Sequence, residues 1–148
     1  MKLEAGVTEA ADGLNGAAWN VVGHTYTPKL HCDHAFVWHA VIPDGTFVPP
    51  HIHTTQDEWI TVLDGELEVE FGPEKHVAQA GDTIRMPQNE AHGIFNRSGK
   101  IATAVFSVAP AGRLYALFAA LDNVTDPAEL VRISAEHDVN FLPPPDAA

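Results

Sequence analysis

The segment PPHIHTTQDEWI, residues 49–60, places His51 and His53 two positions apart, with Glu58 shortly after them. On an extended strand, residues i and i+2 project from one face with Cα atoms about 6–7 Å apart. Two imidazoles so placed can tilt toward one cation about 2 Å from each nitrogen. Glu58 has the opposite parity, so Thr54, Thr55, Gln56 and Asp57 must turn the chain before a second strand brings the carboxylate back. On that strand Glu58 shares a face with Ile60 and Val62, at the edge of an apolar interior. A fourth ligand has to come from another segment. His92, which opens HGIFN (92–96) and shares its parity with Ile94, is the candidate. Three imidazoles and one carboxylate suit one divalent transition metal ion, with iron, manganese, nickel, cobalt, copper and zinc all compatible. Any one of these residues alone reads as an ordinary satisfied polar group. Together they are too costly to bury unpaired.

The elements that must position them are short strands. HAFVWHAVI (34–42) stops at Pro43-Asp44-Gly45, and DEWITVL (57–63) stops at Asp64-Gly65, a hairpin signal. ELEVEF (66–71) sets Leu67, Val69 and Phe71 against Glu66, Glu68 and Glu70, a strand with one wet face. HVAQA (76–80), TIRM (83–86), HGIFN and IATAVFSV (101–108) follow, separated by Gly72-Pro73, Gly81-Asp82 and the turn at 97–100. Turn signals about every 8–12 residues predict an all-β sandwich or closed barrel over residues 20–110 or so. The period then changes. RLYALFAAL (113–121) spaces Leu114, Leu117, Phe118 and Leu121 as one face of a helix. Asp126, Pro127 and Glu129 read as N-cap, first-turn proline and the return partner of a capping box opening AELVRISAEH (128–137). These two helices, within residues 111–142, are expected on one flank of the β unit, and Pro143-Pro144-Pro145 ends any ladder.

Gly45-x5-His51-x-His53-x4-Glu58-x6-Gly65 reproduces the first sequence motif of the cupins. Gly81-x5-Pro87-x-Asn89-x2-His92-x3-Asn96 resembles their second motif, with Asn89 where the family has glycine. Asparagine tolerates the left-handed backbone better than other non-glycine residues, so the turn should survive. The chain resembles the small, single-domain quercetin dioxygenase-like members, including the closing segment AEHDVNFLPPP. That resemblance implies an all-β double-stranded β-helix, a jelly-roll barrel, as one domain over residues 1–148. It also implies a metal centre of His51, His53, Glu58 and His92. By the same resemblance, Glu58 doubles as ligand and proton acceptor, the substrate's deprotonated hydroxyl binds the metal, dioxygen attacks the activated ring, and the protein pairs as a homodimer.

One carboxylate against a doubly charged ion leaves a net positive centre, which favours an enolate- or phenolate-type oxygen. Ile60, Val62, Phe71, Met86, Ile94 and Phe106 are the candidate substrate-binding residues around it. They favour a flat or apolar hydroxylated small molecule, flavonol- or catechol-like, although the same residues would equally build a core with no ligand. The expected function is a metal-dependent, dioxygenase-like oxidoreductase. A non-catalytic small-molecule sensor, an isomerase or decarboxylase using the same site, and a barrel whose metal is structural are the alternatives.

Charge excludes other classes. Asp and Glu number 20 against 8 Lys and Arg, for a formal net charge of −12. With no basic cluster, neither a nucleic acid nor an anionic membrane surface is an expected partner. The apolar run IATAVFSVA is far too short for a membrane span. The N-terminal residues show no signal-peptide pattern, so a cytoplasmic address is expected. The single cysteine, Cys32, forms no intrachain disulfide. LHCDH (30–34) could be a second metal tract with His31, Cys32 and His34, but reads better as a solvated turn before the first strand. His24, His76 and His137 read as surface, His39 as facing either way, Arg85 as outward, and Trp38 and Trp59 as packing.

Overall fold

The β-branched and aromatic segments between the Gly and Pro turns all become strands. The computed structural model describes residues 1–143; Pro144 and Pro145 of the expected stop lie outside the described residues. Strands β1 (Trp19–Val21), β2 (His24–Cys32) and β3 (Ala35–Ile42) precede β4 (Phe47–His53), β5 (Asp57–Asp64) and β6 (Glu66–Phe71). The ladder continues with β7 (Glu74–Gln79), β8 (Thr83–Met86), β9 (His92–Phe95) and β10 (Ala102–Ala109). Helices α1 (Leu114–Leu121) and α2 (Pro127–Ala135) follow, and β11 (Val139–Phe141) is last.

Two antiparallel sheets result, ordered β1-β2-β3-β10-β5-β8 and β11-β4-β9-β6-β7. From β4 onward the chain repeatedly crosses between them, with β5, β8 and β10 in one sheet and β4, β6, β7 and β9 in the other. This winding is the double-stranded β-helix that the strand pattern and the motif resemblance lead one to expect.

Strict alternation decides what is buried. On β3 the side chains of Phe36, Trp38, Ala40 and Ile42 are buried, while Val37, His39 and Val41 lie on the opposite, half-exposed face. Phe106 of β10 sits in register between Trp38 and Ile60. Trp38 stacks on Phe36 and Phe106 and meets Phe118 of α1 edge-on, with ring centroids 4.8, 5.2 and 4.9 Å away. Burying a single side chain of this size contributes about 1.5–3 kcal/mol, so this cluster is a main source of stability. Arg85 is exposed between buried Ile84 and Met86, as the alternation requires.

Four features differ from the sequence reading. The LHCDH tract is not a turn ahead of the first strand: β2 runs through His31 and buried Cys32, and only Asp33 and His34 turn. The three residues do not converge, and His31 instead stacks on Tyr115 at 4.5 Å. His24 is not on the surface but fully buried, because it shares the inward parity of Tyr26 on β2. The capping box forms only half: the Asp126 carboxylate accepts from the Ala128 N–H at 3.0 Å, whereas Glu129 turns away to pair with Arg132. Finally, the chain after α2 adds β11 beside β4, a strand too short to show a period.

Candidate metal centre

β4 presents His51 and His53 from one face, both buried, as their spacing requires. The antiparallel pairing of β4 with β9 sets His92 directly opposite His51. Glu58 enters from β5, in the other sheet, so the cluster ties the two sheets together across the barrel. The four candidate ligand atoms all lie within 4.8 Å of one another. Ligand atoms about 2.0–2.2 Å from a common ion lie at most about 4.4 Å apart, so small side-chain shifts complete a coordination sphere.

Each imidazole is held by its other nitrogen. His51 Nδ1 donates to the Pro49 carbonyl at 2.8 Å and His92 Nδ1 to the Glu90 carbonyl at 3.1 Å. A carbonyl can only accept, so Nδ1 carries the proton and Nε2 keeps a free lone pair. His53 Nδ1 donates to Gln56 Oε1 at 2.9 Å. The Gln56 amide cannot be reversed, since its Nε2 donates to the carbonyls of Pro110 and Ala111 at 3.1 and 2.6 Å. Three Nε2 atoms are thereby committed to the interior. This arrangement of outer hydrogen bonds is what metal-binding histidines require.

The electrostatics also call for a cation. Glu58 Oε1 lies 3.0 Å from His92 Nε2 and 3.7 Å from His53 Nε2. Lone pairs facing a carboxylate at such distances repel unless a proton or metal ion lies among them. Burial by itself raises the Glu58 carboxyl. Positive charge at His53, a proton donated from His92 and positive charge at His92 and His51 would outweigh it and bring the group down to about 2. With these imidazoles neutral and their Nε2 lone pairs facing inward, a bound cation takes the place of that positive charge. Burial, then the neighbouring His92 and His53, lowers His51 to about 3. The residues fit a divalent metal: a site that disfavours an extra proton on His51 and keeps Glu58 ionised offers a ready ligand set.

The cluster opens on a cavity of about 50 Å³. Ile94 and Phe106, two of the expected substrate contacts, are on its wall. Ile60, Val62 and Met86 are packed in the core away from that wall, and Phe71 is half-buried beside His76 at the other end of its sheet. Much of the wall comes instead from α1 and α2, through Leu114, Leu117, Leu121, Leu130 and Ser134. The helices thus close over the His/Glu cluster as well as covering a flank, and β11 pairs Val139 with His53 and Phe141 with His51.

Two groups at the site had no sequence signal. Gln56 sits in the turn between β4 and β5, where no period marks a side chain as buried. Gly112 lies against it with φ of 53°, and an added Cβ would come within 3.0 Å of the Gln56 amide nitrogen. Tyr26 also reaches the cavity wall, and burial together with the Glu58 charge raises its phenol well above the usual range. Asn89, at the motif glycine position, adopts φ of 67°, and its N–H donates to the His53 carbonyl at 3.0 Å. The turn leading to His92 is intact.

Comparison with known proteins gives a family model, the cupin domain, that matches residues 38–108. Quercetin 2,3-dioxygenase of Bacillus subtilis is 31% identical over 85 residues, covering 57% of this chain and 25% of that protein. The chain thus spans a quarter of the length of the curated relative it matches. Among solved structures, an RmlC-like cupin from Shewanella frigidimarina superposes with a TM-score of 0.67 at 16% identity, covering 78% of this chain and 99% of that one. The polyketide cyclase RemF of Streptomyces resistomycificus gives 0.62 at 16% identity, over 72% and 80% of the two chains. At such identities the structural likeness concerns the fold alone.

Proposed function

The chain belongs to the cupin superfamily, and from that premise we propose that it is a metal-dependent, dioxygenase-like enzyme acting on a compact hydroxylated molecule. The observation that carries this reading is the convergence of three tautomer-locked imidazoles and one carboxylate beside a largely apolar cavity, with His51, His53 and Glu58 on its wall.

His51, His53 and His92 would hold the ion through Nε2, and Glu58 through its carboxylate. A divalent transition metal supplies Lewis acidity there, favouring the ionised form of a substrate hydroxyl. Glu58, the one carboxylate of the cluster, is the group placed to accept that hydroxyl's proton. Ile94, Phe106, Leu114 and Leu117 exclude water and bind the substrate's apolar part. The relative's name supports oxygen chemistry, although it is a protein four times the length of this match. Cavity size narrows the substrate. Clefts for drug-sized ligands run to about 300–1,000 Å³ and a benzene ring fills a cavity of about 150 Å³, so the present one argues against a three-ring flavonol and admits a single catechol-like ring only if lining side chains move outward.

The test is to load the protein separately with iron, manganese, nickel, cobalt, copper and zinc, measure metal content, and follow oxygen uptake with catechol-type compounds. Metal at one equivalent with oxygen consumption under at least one redox-active metal is the expected result. Full occupancy without turnover under any metal would leave a binding module and sink the oxygenase reading.

A further inference from the structure

Among the described residues, three buried side-chain polar atoms have no hydrogen-bond partner: His24 Nε2, Trp38 Nε1 and Ser134 Oγ. Trp38 and Ser134 are each 1% exposed, and both line the cavity at the metal cluster, whereas His24 does not. A buried indole N–H or hydroxyl normally finds a partner, because leaving one unmade costs about 1–3 kcal/mol.

Local structure explains why neither group is satisfied from within. Trp38 is gripped on three sides by Phe36, Phe106 and Phe118, so its ring position is set by packing and its N–H has no protein acceptor. Ser134 is a helical serine, and such hydroxyls commonly bond back to the carbonyl one turn earlier. This one does not, although Leu130, four residues before it, lines the same cavity. Two residues carrying unpartnered donors thus belong to a wall whose other polar members are Tyr26 and the candidate ligands His51, His53 and Glu58, with no Lys or Arg among its residues.

We infer that Trp38 Nε1 and Ser134 Oγ are specificity-determining donors that bind a second, neutral oxygen of the substrate, while its hydroxyl goes to the metal cluster. This inference rests on the metal-binding reading of His51, His53, Glu58 and His92 and adds the substrate class: compact hydroxy-carbonyl molecules. The second oxygen is a ketone-type oxygen and not a carboxylate. A doubly charged cation offset by Glu58 balances one further negative charge, that of the hydroxyl oxygen. A carboxylate beside Trp38 and Ser134 would then be a buried anion with no cation to meet it.

The probes are 3-hydroxybutan-2-one and lactate, which have the same number of non-hydrogen atoms and differ by a methyl ketone against a carboxylate. Affinities are measured by calorimetry on zinc-loaded parent, Ser134→Ala and Trp38→Phe proteins, with zinc content determined for each. The expected result is tighter binding of the ketone by the parent, weakened about 3- to 10-fold by each substitution. Ser134→Ala should not lower the melting temperature of the ligand-free protein and should raise it slightly, since it removes no existing bond and relieves an unpartnered buried hydroxyl, and it carries the test alone if Trp38→Phe does not fold. Zinc at one equivalent with equal ketone affinity in parent and Ser134→Ala overturns the inference and leaves the metal reading standing. Preference for lactate, or no ketone binding by the zinc-loaded parent, overturns the substrate class. Absence of zinc uptake by the parent overturns the metal reading on which the inference depends.

Discussion

Gln56 Oε1 accepts from His53 Nδ1 at 2.9 Å while the same amide's nitrogen is tied to two backbone carbonyls at residues 110 and 111. One turn residue therefore connects a candidate metal-ligating imidazole to the segment leading into α1. Ring orientation and tautomer at His53 depend on it.

Replacing Gln56 with Ala should weaken metal affinity by about 10–100-fold, the usual effect of losing an outer hydrogen bond to a ligating histidine. Gln56→Glu should be more harmful at neutral pH, because a carboxylate would face the Pro110 and Ala111 carbonyls. Competition with a chromogenic chelator measures both. Unaltered affinity in Gln56→Ala would show that the ring needs no such support.

His51→Ala and His92→Ala should each lose most bound metal, by at least about 100-fold in affinity, while circular dichroism remains that of the parent. The backbone ladder between β4 and β9 does not depend on either side chain. Equal metal content in parent and variants would mean the ligands are misassigned.

Buried His24 makes stability depend on pH. Burial lowers it to about 4 from an ordinary value of 6.5, so the unfolded chain takes up a proton first as pH falls. Its contribution is fully present above about pH 6.5 and is lost as pH drops toward 4. Between pH 7.5 and 5 the loss is about 2 kcal/mol. Because buried His51 contributes in the same direction, the test is the difference between proteins: urea unfolding of metal-free protein should lose about 2 kcal/mol less between those two pH values in His24→Gln than in the parent. An identical pH dependence in the two proteins would exonerate His24.

Asn89→Gly should change unfolding free energy by no more than about 0.5 kcal/mol, whereas Asn89→Ala should cost about 1–2 kcal/mol, since φ of 67° is in the left-handed region. Denaturant midpoints decide between them. Equal midpoints would mean the backbone relaxes freely at this turn.

Asn96→Ala should destabilise by about 3 kcal/mol. The fully buried Asn96 amide donates to the carbonyls of Ile42 and Lys100 at 2.8 and 2.7 Å, and its oxygen accepts from the Ser98 N–H and hydroxyl. Its loss strands the Ile42 carbonyl inside the barrel. A change under about 1 kcal/mol, again by denaturant unfolding, would mean water replaces the amide without cost.

Period-two alternation and turn chemistry made the strands from Ala35 to Ala109 readable, because each residue's face follows from its immediate neighbours in the chain. The four candidate ligands were legible for a related reason: fixed spacing on strands converts directly into shared direction. By contrast, the burial of His24, the pairing of β11 with β4, and the closure of α1 and α2 over the His/Glu cluster depend on which surfaces meet after folding. Nothing local distinguishes Ser134 from any other helical serine, or Gln56 from any turn glutamine. Which of the six expected apolar contacts reach the cavity was likewise settled by packing, since parity says that a side chain points inward but not how far along the barrel the open space lies. Local pattern was enough for the ladder and for the direction of the candidate ligands; what surrounds them follows from folding, because burial is a property of contacts between segments far apart in the chain.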